Sequence, residues 1–167
     1  MTFRIAPISD DFLMNVRRHS QDDQNQPVER MAAAGGEPCR DVLRRARPGE
    51  PLILASYCPF TRPGPYKEYG PIFVLAEPSA ERVDYDALAA PNGDPGDYLR
   101  EQFVLRAYDA REAIAGATLT GPARYRADLE ALFEIHRAAF VLVRFPAYGC
   151  YGFRIEKDVD PAPVRSS

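Results

Sequence analysis

The apolar positions of this chain fall into short runs divided by turn-forming residues, the pattern of strands joined by tight links. Two of these runs lie between Leu52 and Leu75 and are joined by a loop from Cys58 to Gly70, with prolines at 59, 63, 65 and 71. Proline fixes φ and removes a backbone donor, so the connection predicts neither helix nor ladder, and side chains must hold it in place. Phe103 to Tyr108 and Glu112 to Thr120 are β-like runs on either side of Asp109-Ala110-Arg111, which predicts a hairpin. Ala138 to Phe145 is almost wholly apolar, as suits a strand covered on both faces. Cys150 to Glu156 alternates Tyr151, Phe153 and Ile155 with Gly152, Arg154 and Glu156, and Pro146-Ala147-Tyr148-Gly149 turns one run into the other.

Gly121-Pro122 opens the clearest helix, in which Tyr125, Leu129, Leu132, Phe133 and His136 share one apolar face while Arg126 and Glu130 sit one turn apart outside. Phe3 to Ile8 predicts a first strand, followed by a short helix that Ser9-Asp10-Asp11 would cap. Val28 to Ala34 is assigned to a strand, Pro48-Gly49 to a type II turn, and Glu77 to Gly96 to a loop with only Val83 and Leu88 as core candidates. Short links between consecutive strands predict an α+β fold, a mainly antiparallel sheet of six to eight strands with two helices. The expected organisation is a single globular domain over 1–157 and a flexible polar tail over 158–167.

Composition narrows the partners. A chain of 167 residues with 46% hydrophobic content can build one full core without staples. A net charge of −3 gives no broad positive field, so neither nucleic acid nor an anionic membrane is expected as a partner. No apolar run is long enough to span a bilayer and the N-terminal residues have no signal-like core, so the expected location is cytoplasmic. Three cysteines at 39, 58 and 150 form no disulfide framework and are expected to be reduced thiols. With His136 they make four potential zinc ligands, but they lack the close pairing of zinc sites, so no metal is expected, and no cofactor signature is present.

Two kinds of side chain carry the candidate chemistry. Cys39 precedes Arg40 and stands near Arg44, Arg45 and Arg47, which could hold a thiolate and make it the candidate nucleophile. Arg40, Arg62 and Arg106 occur beside small, proline or aromatic residues, and a planar guanidinium backed by a tyrosine such as Tyr66 or Tyr108 suits bidentate capture of a carboxylate or phosphate. Arg106 is the sharpest of these because it interrupts the run Phe103 to Tyr108; the alternative is a solvent-facing arginine paired with Glu101 or Asp109.

Five blocks in order carry a resemblance: Pro38-Cys39-Arg40, Pro48-Gly49-Glu50, Pro65-Tyr66 followed by Gly70-Pro71-Ile72-Phe73-Val74, Leu105-Arg106-Ala107-Tyr108-Asp109, and Gly149-Cys150. With them the chain resembles the bacterial domain of unknown function 1203 family. Gly64 and Phe145-Pro146 depart from the family's pattern, in which relatives tend to have Ser and polar residues at these positions. The resemblance implies a small soluble bacterial protein and marks Cys39, Arg40, Tyr66, Arg106, Tyr108 and Cys150 as motif positions, but it supplies no reaction. The leading expectation is a binding protein for a small anionic metabolite. Arg40, Arg62 and Arg106 would be the anion ligands and Tyr66 and Tyr108 the walls of a cleft roofed by the loop Cys58 to Gly70. An enzyme with Cys39 as nucleophile and an interaction module using a sheet edge are the alternatives, and the oligomeric state is left open.

Overall fold

The computed structural model describes residues 2–158, so the tail expected over 158–167 lies outside the described residues except for Asp158. The fold is α+β and mainly antiparallel, as the strand pattern predicts, with its strands divided between two five-stranded sheets. The first sheet runs in the order β1 (Phe3–Ala6), β10 (Tyr151–Lys157), β9 (Phe140–Arg144), β7 (Phe103–Tyr108), β8 (Ile114–Thr120) and is antiparallel throughout. The second runs β2 (Glu29–Ala32), β5 (Pro51–Tyr57), β6 (Gly70–Leu75), β3 (Pro38–Cys39), β4 (Arg44–Arg45), with β3 parallel to β6. The strands beyond the expected eight are the two-residue pieces β3 and β4. They are too short to show a period and sit in a segment whose arginines read as surface.

Both expected hairpins in the C-terminal half are present. Strand β9 is buried along its whole length because it is covered twice. Val141 and Val143 face the cluster that includes Tyr125, Leu129, Leu132 and Phe133 of the helix α3 (Tyr125–Glu134). Phe140 and Leu142 face Ile53, Ala55, Ile72 and Val74 of the second sheet. The result is three layers, α3 on the first sheet and the first sheet on the second. A further cluster, with Cys39, Val42, Leu52 and Leu75, covers the far face of the second sheet. His136 lies past the end of α3 and is exposed, so it does not extend the apolar face.

The first helix, α1 (Asp10–Met14), starts as its residues dictate: the Ser9 hydroxyl accepts from the Phe12 N–H, and Asp10 and Asp11 occupy the first turn. It continues as a π-helical turn through His19, from which Arg17 reaches Asp41 at 2.6 Å and the Leu75 carbonyl at 3.2 Å. The segment 77–96, expected to be loop, carries a one-turn helix, α2 (Tyr85–Ala89), capped by Asp84. Just beyond it Tyr98 and Leu99 are buried, core positions that no periodic pattern announced. The Pro48-Gly49 turn has Gly49 at φ +83° and a Glu50 N–H to Arg47 carbonyl bond of 3.1 Å, as a type II turn requires.

One departure shapes the site. Straight alternation would put Tyr151, Phe153 and Ile155 on one face of β10, but the register shifts between Tyr151 and Phe153, with Gly152 as the extra residue. Phe153 and Ile155 therefore join the α3 side while Tyr151 joins the core between the sheets. A β-carbon on Gly152 would stand 3.0 Å from the Val143 carbonyl oxygen, so the close approach suits glycine. The bulge turns carbonyls toward side chains: the Tyr98 hydroxyl donates to the Gly152 oxygen at 3.0 Å and Arg40 Nε to the Tyr151 oxygen at 2.8 Å.

Candidate functional site

The proline-stiffened loop between β5 and β6 is held by side chains, as expected. The Asp23 carboxylate accepts from the Cys58 N–H at 2.7 Å, and Glu112 accepts from the Thr61 and Arg62 backbone and the Thr61 hydroxyl. Phe60 is buried and meets Tyr108 edge-on at 5.1 Å between ring centroids. From the far half of the loop Glu68 reaches inward to Arg144, and Arg106 Nη1 stands 3.5 Å from the same Glu68 oxygen. Arg106 and Tyr108 share one face of β7, and Arg144 lies on the same side of neighbouring β9, with its Nη2 3.5 Å from the Tyr108 hydroxyl. Burial pushes the Tyr108 phenol up, opposed by Arg106 beside it. Arg106 thus pairs with neither Glu101 nor Asp109.

The other expected ligands lie elsewhere. Arg62 and Tyr66 line a shallow hollow of about 390 Å³ with Lys67, Arg111 and Glu112, both well exposed. Arg40 is only 3% exposed and its contacts are with a different set of groups. Its Nε and Nη1 donate to the carbonyls of Tyr151 and Pro38, and its guanidinium stacks on the Phe145 ring at 5.3 Å. The structure therefore pairs Arg106 with Tyr108 and Arg62 with Tyr66, while Arg40 joins neither pair.

Arg40 instead lines a groove of about 870 Å³. Leu54, Pro71 and Phe73 of the second sheet contribute apolar wall, as do Phe145 and Pro146 at the end of β9. Arg45 and Arg100 also line it, together with Glu37 and Glu101. Arg45 is a cross-tie: its three nitrogens donate to the carbonyls of Asp97, Gly36 and Tyr98, and burial pushes its pKa down. Partial burial pushes the Glu37 carboxyl up, but backbone N–H groups, Ala34 at 2.7 Å and Gly35 at 2.9 Å among them, outweigh it and hold the carboxyl below its usual range. Two cationic groups retain donors. Arg40 Nη2 and the Arg100 guanidinium make no hydrogen bond among the described residues.

A family model described as protein of unknown function (DUF1203) matches residues 36–157, well over half of the chain. The chain belongs to this family. The DUF1203 span takes in the groove, apart from Gly35, and the whole of the Arg106, Tyr108, Arg144 and Glu68 cluster. No curated protein and no solved structure matches the chain.

Within the DUF1203 span the three thiols differ. Cys39 is fully buried between β4 and β6, and burial, with Asp41 nearby, pushes its thiol up to about 12. Its Sγ donates to the Glu37 carbonyl at 3.7 Å, and among the described residues it has no hydrogen bond with either histidine. A thiol so placed is a packing group, and its surroundings give the nucleophile reading no support. Cys58 and Cys150 are half-buried, and Cys150 lines the groove. Among the described residues no three His, Cys, Asp or Glu side chains gather as metal ligands, and no helix is long and apolar enough to cross a membrane. The edge strand β8 shows Ile114 and Leu119 to solvent, single exposed side chains of a kind most surfaces carry.

Sequence reasoning missed Arg144 and Arg100. Arg144 ends an otherwise apolar run, and a charge inside a doubly covered strand is the signal that marks it. Arg100 follows Pro95-Gly96 in a segment without periodicity, so nothing in the pattern distinguishes it.

Proposed function

We propose that this protein binds a small metabolite that joins an anionic group to an apolar body, and that the groove is where it binds. The observation that carries the reading is Arg40: a buried guanidinium, fixed by two carbonyls and a ring, that keeps one amino group without a hydrogen bond at the wall of the groove. A fixed guanidinium loses little freedom on taking an oxyanion, and Arg100 adds a second cation at the same concavity. The volume falls within the roughly 300–1,000 Å³ of ordinary ligand sites, and phenylalanine, leucine and proline walls with few polar groups are the usual lining. The charge on the ligand chooses the orientation; the apolar walls supply contact area.

The test uses a matched pair of probes, 1-naphthylacetate and its amide, in ligand-observed NMR, with N-ethylmaleimide labelling of Cys150 as a positional readout. The acid binds, slows labelling of Cys150, leaves Cys58 labelling unchanged and binds more weakly to Arg100→Ala. Cys39 stays unlabelled until the protein is unfolded. Equal binding of acid and amide, or acid binding with no protection of Cys150, refutes the assignment.

A further inference from the structure

We propose that Arg144, Arg106 and Tyr108 form a second, separate oxyanion site, and that Glu68 of the β5–β6 loop occupies it as an internal ligand that an external carboxylate or phosphate displaces. The Arg144 fork is half used. A guanidinium presents Nε–H and one terminal amino group side by side, spaced to meet two oxygens of one anion. In Arg144 the amino group on that edge, Nη2, is taken by Glu68, while Nε is buried without a hydrogen-bond partner among the described residues. Its third nitrogen, Nη1, is committed to the Gly149 carbonyl at 2.9 Å.

Glu68 is an incomplete occupant in a second way. Arg144 and Arg106 both meet the same oxygen, Oε1, and Oε2 makes no hydrogen bond among the described residues. One oxygen therefore answers two guanidinium groups, and the remaining donor of the Arg144 fork goes unanswered. Leaving a buried donor unpaired is costly, and Arg144 is only 6% exposed. An oxyanion free of the chain could set one oxygen on Nε, one on Nη2 and turn another toward Arg106, with the Tyr108 hydroxyl beside it. The geometry asks for two or more oxygens on one centre, which carboxylate and phosphate share.

The loop is built to let Glu68 leave. Asp23 and Glu112 clamp its first part, from Cys58 to Arg62. From Pro63 to Tyr69 the hydrogen bonds and ion pairs among the described residues are the Lys67 N–H to Gly64 carbonyl bond of 3.2 Å and those of Glu68 itself. The Glu68 side chain is 42% exposed. Removing its carboxylate contacts therefore releases a short segment without disturbing the clamps or the core.

The experiment titrates wild type and Glu68→Gln with inorganic phosphate and with acetate by isothermal calorimetry, at constant ionic strength. Gln keeps the size of the side chain and removes the competing charge, so the variant binds at least one of the two anions about tenfold or more tightly than wild type. Which anion gains identifies the natural oxyanion. Arg106→Ala in the Glu68→Gln background abolishes the gain. The 1-naphthylacetate protection of Cys150 is unchanged in Glu68→Gln, which keeps this site's failure distinct from failure of the groove. No gain for either anion, or a gain that survives Arg106→Ala, overturns the proposal.

Discussion

Replacing Arg40 by Met tests whether its guanidinium ties the fold together as well as facing the groove. The substitution keeps much of the side-chain length but strips the donors from the Tyr151 and Pro38 carbonyls, now met at 2.8 and 2.5 Å. A hydrogen bond from a charged donor contributes about 1.5–3 kcal/mol net, and here both acceptors stay behind without that donor. Loss of the Phe145 stack subtracts about another 1 kcal/mol, while removing a buried charge returns part of the sum. The expected net cost is about 3 kcal/mol, a large share of the 5–15 kcal/mol that stabilises an ordinary domain. With a urea slope of about 2 kcal/mol per molar, the unfolding midpoint falls by about 1.5 M. Urea titration followed by circular dichroism measures this directly. Arg40→Lys loses less, because one ammonium reaches one carbonyl but cannot fork between two. A Met variant whose midpoint stays within about 0.2 M of wild type refutes the claim that this arginine bridges the bulge and β3.

The cluster of Arg44, Arg47, Glu50 and Glu81 makes stability depend on acid. Hydrogen bonds from Arg44 hold the Glu50 carboxyl down at about 2, against an ordinary 4.5. A depressed carboxyl stabilises the fold above its unfolded value and loses that contribution as pH falls through the folded one. Glu50→Gln is therefore less stable than wild type by about 1 kcal/mol at neutral pH, and the gap closes between pH 4.5 and about 2; a gap that does not change with pH rules the linkage out. Gly121→Ala should cost about 2 kcal/mol in the same denaturation assay, because its new β-carbon would stand 2.6 Å from the Glu101 carbonyl oxygen, a backbone atom. A neutral result there means the turn into α3 can open.

Much of the fold was legible where hydrophobic period and turn chemistry agree. The hairpins of β5 with β6, β7 with β8 and β9 with β10 follow from apolar runs and the residues between them, and α3 follows from Tyr125, Leu129, Leu132 and Phe133. The division into two sheets was not legible, because pairing across the layers is decided by which faces meet, and the runs themselves do not say. Tyr98 and Leu99 are buried without period because they are two consecutive side chains turned inward from an irregular segment whose neighbours Gly96 and Arg100 are exposed. At the site, residue type was the good guide and convergence the poor one. Arg106 and Tyr108 meet because alternation on one strand forces it, whereas Arg40 is carried away by β3, a strand of two residues.

The single extra residue in β10 has a consequence for how this chain tolerates change in length. Below the insertion the strand serves the inter-sheet layer, and beyond it the strand serves the helix-covered one. Deleting Gly152 would make Tyr151 and Phe153 consecutive, and plain alternation would then keep the ring on the inter-sheet side and Phe153 and Ile155 on the helix-covered side, against the same partners on β9. That one position can therefore be lost without a change of register, whereas an insertion or deletion within the regular ladder from Phe153 to Lys157 would reassign every side chain on one flank at once.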